Sequence, residues 1–457
     1  MFEQRTAVDA RELFGRAETT ARSRRKHKPH HGGRSRERWG WLLLAHRSSI
    51  GHPRAARRSR FRAVQAAQDP ARRRPPLEGV LVADFSRVLA GPLASMVLGD
   101  LGAEVIKVER PEGDDTRAWG PPWAADGTST YFQSVNRNKR SIALDLRDGG
   151  DLMVARTLIE RADVLIENFR PGAMARLGLD EGSLRASNPR LVSCSLTGFG
   201  SSEAGAALPG YDLMIQAVGG LMSITGQPDG PPTKVGVALV DIIAGLFAVV
   251  AILAALSERE RSGLGQRAEV SLMGALLAAL ANQASGFLAA GQVPGRMGNR
   301  HPSIAPYESF AAADGEIVVA VGNDRQFAAL CSELGQPALA EDERFAGNPS
   351  RVGHRDELAR ALAPLFAVRT RAELASTLSA VGVPCGPVND VAEAFALAES
   401  IGMGSIVEMA GGLRQVANPI TLSDTPVAYR RVPPALGADE DELRAWLRED
   451  AGGGLRG

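Results

Sequence analysis

The chain has 457 residues, 44% hydrophobic and 23% charged, the make-up of a two- to three-domain globular protein with room for large cores. Three widely spaced cysteines (Cys194, Cys331, Cys385) with no CxxC pair exclude a disulfide framework or a cysteine-based metal module, and favour a reducing, cytoplasmic setting. The net charge of +1 is uneven: residues 1–76 hold 20 Lys and Arg against 6 Asp and Glu, so no nucleic-acid surface is expected of the acidic body that follows.

Residues 1–76 lack apolar periodicity and are read as a disordered basic extension. From there the elements run in α/β alternation. GVLVADFS (79–86) predicts a buried strand, Gly91-Pro92 opens a helix to about Leu101, and EVIKVER (104–110) predicts the next strand. SIALDL (141–146), ADVLIEN (162–168) and RLVSCSLTG (190–198) predict further strands, with a helix over 149–161 and another opened by Pro171. Such alternation predicts a doubly wound, mostly parallel sheet in a large domain over 77–290. Helices are expected at 242–259 and 271–290.

The texture changes after that. A Gly/Pro/Asn loop over 295–306 leads to a strand pair (308–312, 316–321) and helices at 323–334, 355–367 and 370–380, read as a smaller α+β domain over 300–400. Residues 401–450 form a C-terminal segment ending in a charged helix (439–449). The apolar run 237–256 is about long enough to cross a bilayer. Asp241 and Gly245 favour a buried core or interface helix, and no membrane partner is expected.

In such sheets ligands bind at the carboxyl ends of the strands. Arg110, Arg147, Arg170 and Arg176 follow strand ends or open helices, and NRNKR (136–140) adds a basic cluster; together they suit a multiply anionic ligand. A GxGxxG after the first strand, a GxxxxGK[ST] and a GxSxG are all missing. Two carboxylates stand out: Asp212 in PGYDLMIQ and Asp241 in GVALVDIIAG. Asp241 precedes a long apolar helix, so it reads either as that helix's N-cap or as an ionised nucleophile held at a helix N-terminus.

The order of motifs resembles the class III CoA-transferases, of the formyl-CoA transferase and carnitine CoA-transferase type. The resemblance runs from about Leu77 to Leu447 through VADFSRVLAGPLASMVLGDLGAEVIKVERPEGDDTR, NRNKRSIALDL, ADVLIENFRPGAMARLGL, NPRLVSCSLTGFG, the YD…GPPTKVG…VD spacing, SGLGQRAEVSL and GVPCGPVNDVAEA. It implies an α/β large domain, a small domain and two interlocked chains. It implies Asp241 as the nucleophile, with Asp212 as a second catalytic residue, and an aspartyl-CoA thioester. The substrates would be an acyl-CoA and a free carboxylic acid, with the CoA thioester as substrate and no permanently bound cofactor or metal. CoA contacts carry over to Val88, Leu89 and Ala90, to Arg110, to Leu144 and Arg147, to Asn168, Phe169 and Arg170, and to Arg176. The family's mobile glycine loop, here poorer in glycine, falls on Gly298, Asn299, Arg300 and His301.

The formyl enzyme has Gln where this chain has Leu89, and Glu where it has Asp212, which argues against a formyl/oxalyl pair. NRHPSIAPYESF…VAVGNDRQFAALC resembles members that use succinyl-CoA and act on dicarboxylates, with Arg300 or Arg296 as the cation for a distal carboxylate. The rival within the fold is 2-methylacyl-CoA racemisation, but acyl-CoA racemases of this family place a histidine where this chain has Tyr211, and without that imidazole proton transfer lacks its near-neutral base. The rival outside it is a non-catalytic CoA- or nucleic-acid-associated protein.

Overall fold

The computed structural model describes residues 74–449, so all but the last three residues of the basic extension lie outside the described part. Strand β1 (Leu81–Asp84) leads into helix α1 (Ala90–Asp100) and strand β2 (Glu104–Glu109). Strand β3 (Lys139–Ala143) precedes helix α2 (Gly149–Arg161), and strands β4 (Val164–Glu167) and β5 (Val192–Thr197) follow. Helix α3 (Asp212–Val218) and the 24-residue helix α4 (Leu239–Ser262) come before strand β6 (Arg267–Ser271). These six strands form one sheet in the order β3-β2-β1-β4-β5-β6, every pair parallel.

β1, β2 and β4 carry apolar residues on both faces, as strands covered on both sides require. In β1, Val82 enters a core shared with α1 and α4, while Leu81 and Ala83 enter a second core shared with α2. The order of the strands reverses between β1 and β4, so a crevice opens where β1 and β4 end.

α4 is apolar and long enough to cross a membrane, and it lies against α1 and the next helix, α5 (Leu272–Ala279). A Cβ on Gly245 would sit 2.6 Å from the Ala90 carbonyl oxygen, so the two backbones touch and only glycine fits. The expected 271–290 helix is two: α5 and α6 (Ala281–Ala290) are bent by 81° about Leu280.

Strands β7 (Tyr307–Ala312) and β8 (Gly315–Ala320) form an antiparallel sheet with a later strand, β9 (Cys385–Pro387). Helices α7 (Asp324–Glu333), α8 (Arg355–Ala367) and α9 (Arg371–Ala380) cover it and share a separate core around Phe327, Leu362 and Leu378. The last helix, α10 (Glu440–Arg448), returns to the main sheet and inserts Leu443 and Leu447 into the core beside α2.

Two expectations about charged stretches fail for one reason. β3 begins at Lys139, two residues before the expected strand, and the NRNKR stretch is buried throughout. Arg137 pairs with Asp100, Lys139 with Asp84, and Arg140 with Asp439 and Glu442. A buried cation needs a partner, and these have internal ones. The cluster therefore offers nothing to an outside anion.

Candidate active site

β1 ends at Asp84 and the chain crosses into α1 through Phe85–Leu89 at the crevice. Asn168, just past β4, brackets the Arg87 peptide: its Oδ1 accepts from Arg87 N–H at 3.0 Å and its Nδ2 donates to Arg87 O at 2.8 Å. Gly91 is required below, since a Cβ there would lie 2.2 Å from Ser86 Cβ. Val88 has φ 71°, the left-handed region that a β-branched residue rarely enters.

Asp241 faces this loop. α4 starts at Leu239 with Ala238 as its N-cap, so Asp241 is in the first turn and is not the cap. The capping is done from a distance. Asp212 Oδ1 accepts from Val240 N–H at 2.8 Å and from Asp241 N–H at 3.4 Å, while its Oδ2 accepts from Gln216 Nε2 at 2.6 Å. Asp212 thereby answers the free N–H groups of α4, the task first read onto Asp241.

A helix N-terminus favours an ionised carboxylate. Burial, and then the like charge of Asp212, instead push the Asp241 carboxyl up to about 7. No cation among the described residues pairs with it. Among the described residues no hydrogen bond to its carboxylate offsets the lost water.

Two adjoining clefts receive most of the expected residues. One, of about 650 Å³, is lined by Asp241 with Val88, Leu89, Ala90, Asn168, Phe169 and Arg170. The other, of about 520 Å³, is lined by Arg110, Leu144, Arg147 and Phe169. Arg87 and Phe169 belong to both, so the pair reads as one bent groove. Arg110 holds Asp115 at 2.5 Å, and Arg147 holds Asp145 at 2.9 Å, so both guanidiniums have carboxylate partners within the chain. Arg176 is exposed on a short helix (Ala173–Arg176) and lines neither cleft.

The expected substrate loop is not brought to Asp241 within the chain. Gly298 N–H donates to Gly226 O at 3.0 Å, and Asn299 Nδ2 donates to Ser309 Oγ at 3.0 Å. Arg300 binds Glu308 at 3.0 Å and Asp356 at 2.6 Å, so it is already paired and is not a free cation for a distal carboxylate. Arg296 donates from Nε to Gln227 O at 3.3 Å. His301 Nδ1 accepts from Ser303 N–H at 3.0 Å, a loop-forming role.

Two cleft-region residues, Tyr131 and Trp119, are not marked in the sequence. Tyr131 has its hydroxyl pushed up to about 12 by burial and then by the charges of Asp241, Asp212 and Asp114, so it is a neutral donor near the carboxylates. Its ring meets Trp119 edge-on at 5.1 Å, and Trp119 lines the Asp241 cleft. Both lie in 118–135, where neither apolar period nor motif signals anything. Arg87 follows β1 directly and belongs to the strand-end segment 86–90 expected to meet a ligand.

A family model described as CoA-transferase family III matches residues 77–440. The chain is 44% identical over 389 residues to a succinate–glutarate CoA-transferase of Agrobacterium fabrum, covering 83% of this chain and 97% of that one. It is 42% identical to an acetyl-CoA:oxalate CoA-transferase of Acetobacter aceti, covering 83% and 97%. It is 40% identical to the succinyl-CoA:glutarate CoA-transferase of Mus musculus, covering 82% and 88%. The crystal structure of a CAIB/BAIF family protein from Brucella suis superposes with a TM-score of 0.75 at 44% identity, covering 82% of this chain and all of that one.

Proposed function

The chain belongs to CoA-transferase family III, and from that premise we propose that it transfers CoA from succinyl-CoA to a free dicarboxylate through a covalent intermediate on Asp241. The observation that carries the reading is a carboxylate without a cation partner, set in one cleft with Val88–Ala90 and Asn168–Arg170. Burial leaves Asp241 poorly solvated, so its ionised form gains by attacking an electrophile.

The steps close without any net proton. The Asp241 carboxylate attacks the thioester carbon of the donor, forming an aspartyl–acyl anhydride and expelling the CoA thiolate. The thiolate attacks the aspartyl carbonyl, giving an aspartyl-CoA thioester and releasing the donor acid. The acceptor carboxylate attacks that thioester, forming a second anhydride and again freeing the thiolate. The thiolate attacks the acceptor's acyl carbon, making the new acyl-CoA and restoring Asp241.

Asp212 positions α4 and raises Asp241's basicity, while Tyr131 supplies a neutral donor. The related enzymes named above use glutarate or oxalate, both dicarboxylates. With Arg300 engaged elsewhere, Arg87 is the cleft cation we assign to the distal carboxylate; its 3.5 Å contact with Asp115 is loose and half-exposed. The three free thiols support a reducing, cytoplasmic setting.

We also propose a homodimer. α6 buries none of its side chains within the chain, and Leu246, Phe247, Val250, Phe287 and Leu288 are exposed on α4 and α6. Apolar surface on this scale calls for a partner. Light scattering on the purified protein is expected to give twice the chain mass.

The mechanism is tested by incubation with succinyl-CoA and glutarate, trapping with hydroxylamine or borohydride, and mass spectrometry of the peptide over 236–245. An adduct on Asp241 is expected; full transfer activity without one ends the proposal.

A further inference from the structure

Beneath the loop that carries Val88 lies a set of buried charges that the transfer steps do not use. Lys107 on β2 and Asp114 are fully buried side chains paired at 2.9 Å. Lys107 Nζ also donates to Ser86 O at 2.9 Å. The Asp114 carboxylate accepts from Val88 N–H at 3.3 and 3.4 Å. Its Oδ1 accepts as well from Thr116 N–H at 3.0 Å and from the Thr116 hydroxyl at 2.8 Å, capping the 3-10 turn Asp115–Ala118. Asp115 and Trp119, at either end of that turn, line the Asp241 cleft together with Val88. One buried carboxylate therefore ties together two chain segments that line the cleft.

Val88 needs such a tie. At φ 71° its Cβ crowds the neighbouring carbonyl, a conformation glycine takes freely and valine does not. A β-branched residue stays there only when its surroundings over-determine it, and such strain gathers at functional sites.

We propose that the Lys107–Asp114 pair is a positioning latch for CoA transfer. It holds Val88 in the left-handed conformation, and so aims the Leu89–Ala90 entry of α1 at the thioester facing Asp241. Lys107 fixes Asp114 as a carboxylate and anchors Ser86; Asp114 takes the Val88 N–H. The latch rests on the Asp241 reading, and its test separates the two.

The test compares wild type, Asp114→Asn, Lys107→Met, and Asp114→Asn combined with Val88→Gly, in succinyl-CoA-dependent transfer with kcat and KM measured separately. Asp114→Asn and Lys107→Met are expected to lower kcat/KM by about 10²-fold, the scale of a 1 Å misplacement. Adding Val88→Gly to Asp114→Asn is expected to recover about tenfold, because glycine reaches positive φ without the latch. A merely structural role for Asp114 would not be relieved by glycine at 88. The proposal is overturned if the double variant is no more active than Asp114→Asn, or if Asp114→Asn keeps the wild-type kcat.

Should these variants not fold, hydrogen exchange on the wild-type protein decides. The Val88 amide, donated to a buried carboxylate, is expected to exchange far more slowly than an unprotected loop amide; exchange at the free-loop rate overturns the latch. A wild-type protein that forms no Asp241 adduct would instead remove the nucleophile reading, while the glycine rescue would still report on the latch.

Discussion

The protein buries charge in two neighbouring places and treats it in opposite ways. Under β1, Asp84, Lys107, Asp114 and Lys139 are fully buried and matched, anion to cation. At the start of α4, Asp212 and Asp241 are both anions with no cation between them. The matched group holds Asp114 down at about 2, despite burial, through Lys107 and the Thr116 hydrogen bonds. In the unmatched pair, burial and Asp212 push Asp241 up to about 7. Similar burial thus yields a carboxylate held ionised in one place and one whose proton is held up to about neutrality in the other. The difference lies in whether a donor accompanies each carboxylate out of water.

The comparison breaks first at Asp241. Asp241→Asn removes the nucleophile and keeps the shape, and is expected to lower kcat by about 10³-fold or more, measured in steady-state transfer assays. Retained activity would mean that the unmatched carboxylate is not the reacting one. Next comes pH. With Asp241 as nucleophile, kcat/KM is expected to fall about tenfold per unit below pH 7, with the inflection near its raised value. Asp212→Asn keeps an oxygen for the α4 N–H groups and deletes the charge. It is therefore expected to move that inflection to lower pH; an unmoved inflection would deny the coupling.

The matched side predicts a stability effect of the opposite sign. Asp114 is lowered on folding, so its contribution is full above the unfolded value near 3.8 and is lost as pH falls toward 2. Urea midpoints between pH 6 and 3 are expected to show a deficit of roughly 2 kcal/mol in Asp114→Asn at the upper end that shrinks at the lower. Asp241 is raised on folding, so its contribution is full below the unfolded value near 3.8 and is lost as pH rises through about 7. Asp241→Asn is expected to raise Tm by about 2 °C at pH 8 relative to wild type, and less at pH 5.

What the sequence made readable follows the same division. The buried parallel strands show as apolar runs between turn residues, and β1, β2, β4 and β5 lie inside the predicted spans. β6, RAEVS, escaped because it is half polar and pairs along only one side. The break at Leu280 escaped because neither Gly nor Pro marks it, and Ala281 carries the positive φ of 43°. The cap was misassigned because local sequence shows a carboxylate beside a helix. The true acceptor, Asp212, is 28 residues away from the N–H it binds. Lys107 and Lys139 read as ordinary strand and cluster residues because their partners come from other elements. Tertiary pairing is not encoded in the spacing along a strand.

Gly245 gives the two regions a common reference. α4, which bears Asp241, meets the first residue of α1 backbone to backbone at Ala90. No layer of side chains lies between them to compress or repack, so the separation of Asp241's helix from the loop that leads into α1 is a fixed gauge. Substitutions elsewhere in the lining can widen or narrow the cleft. The gauge itself admits no adjustment short of moving a helix.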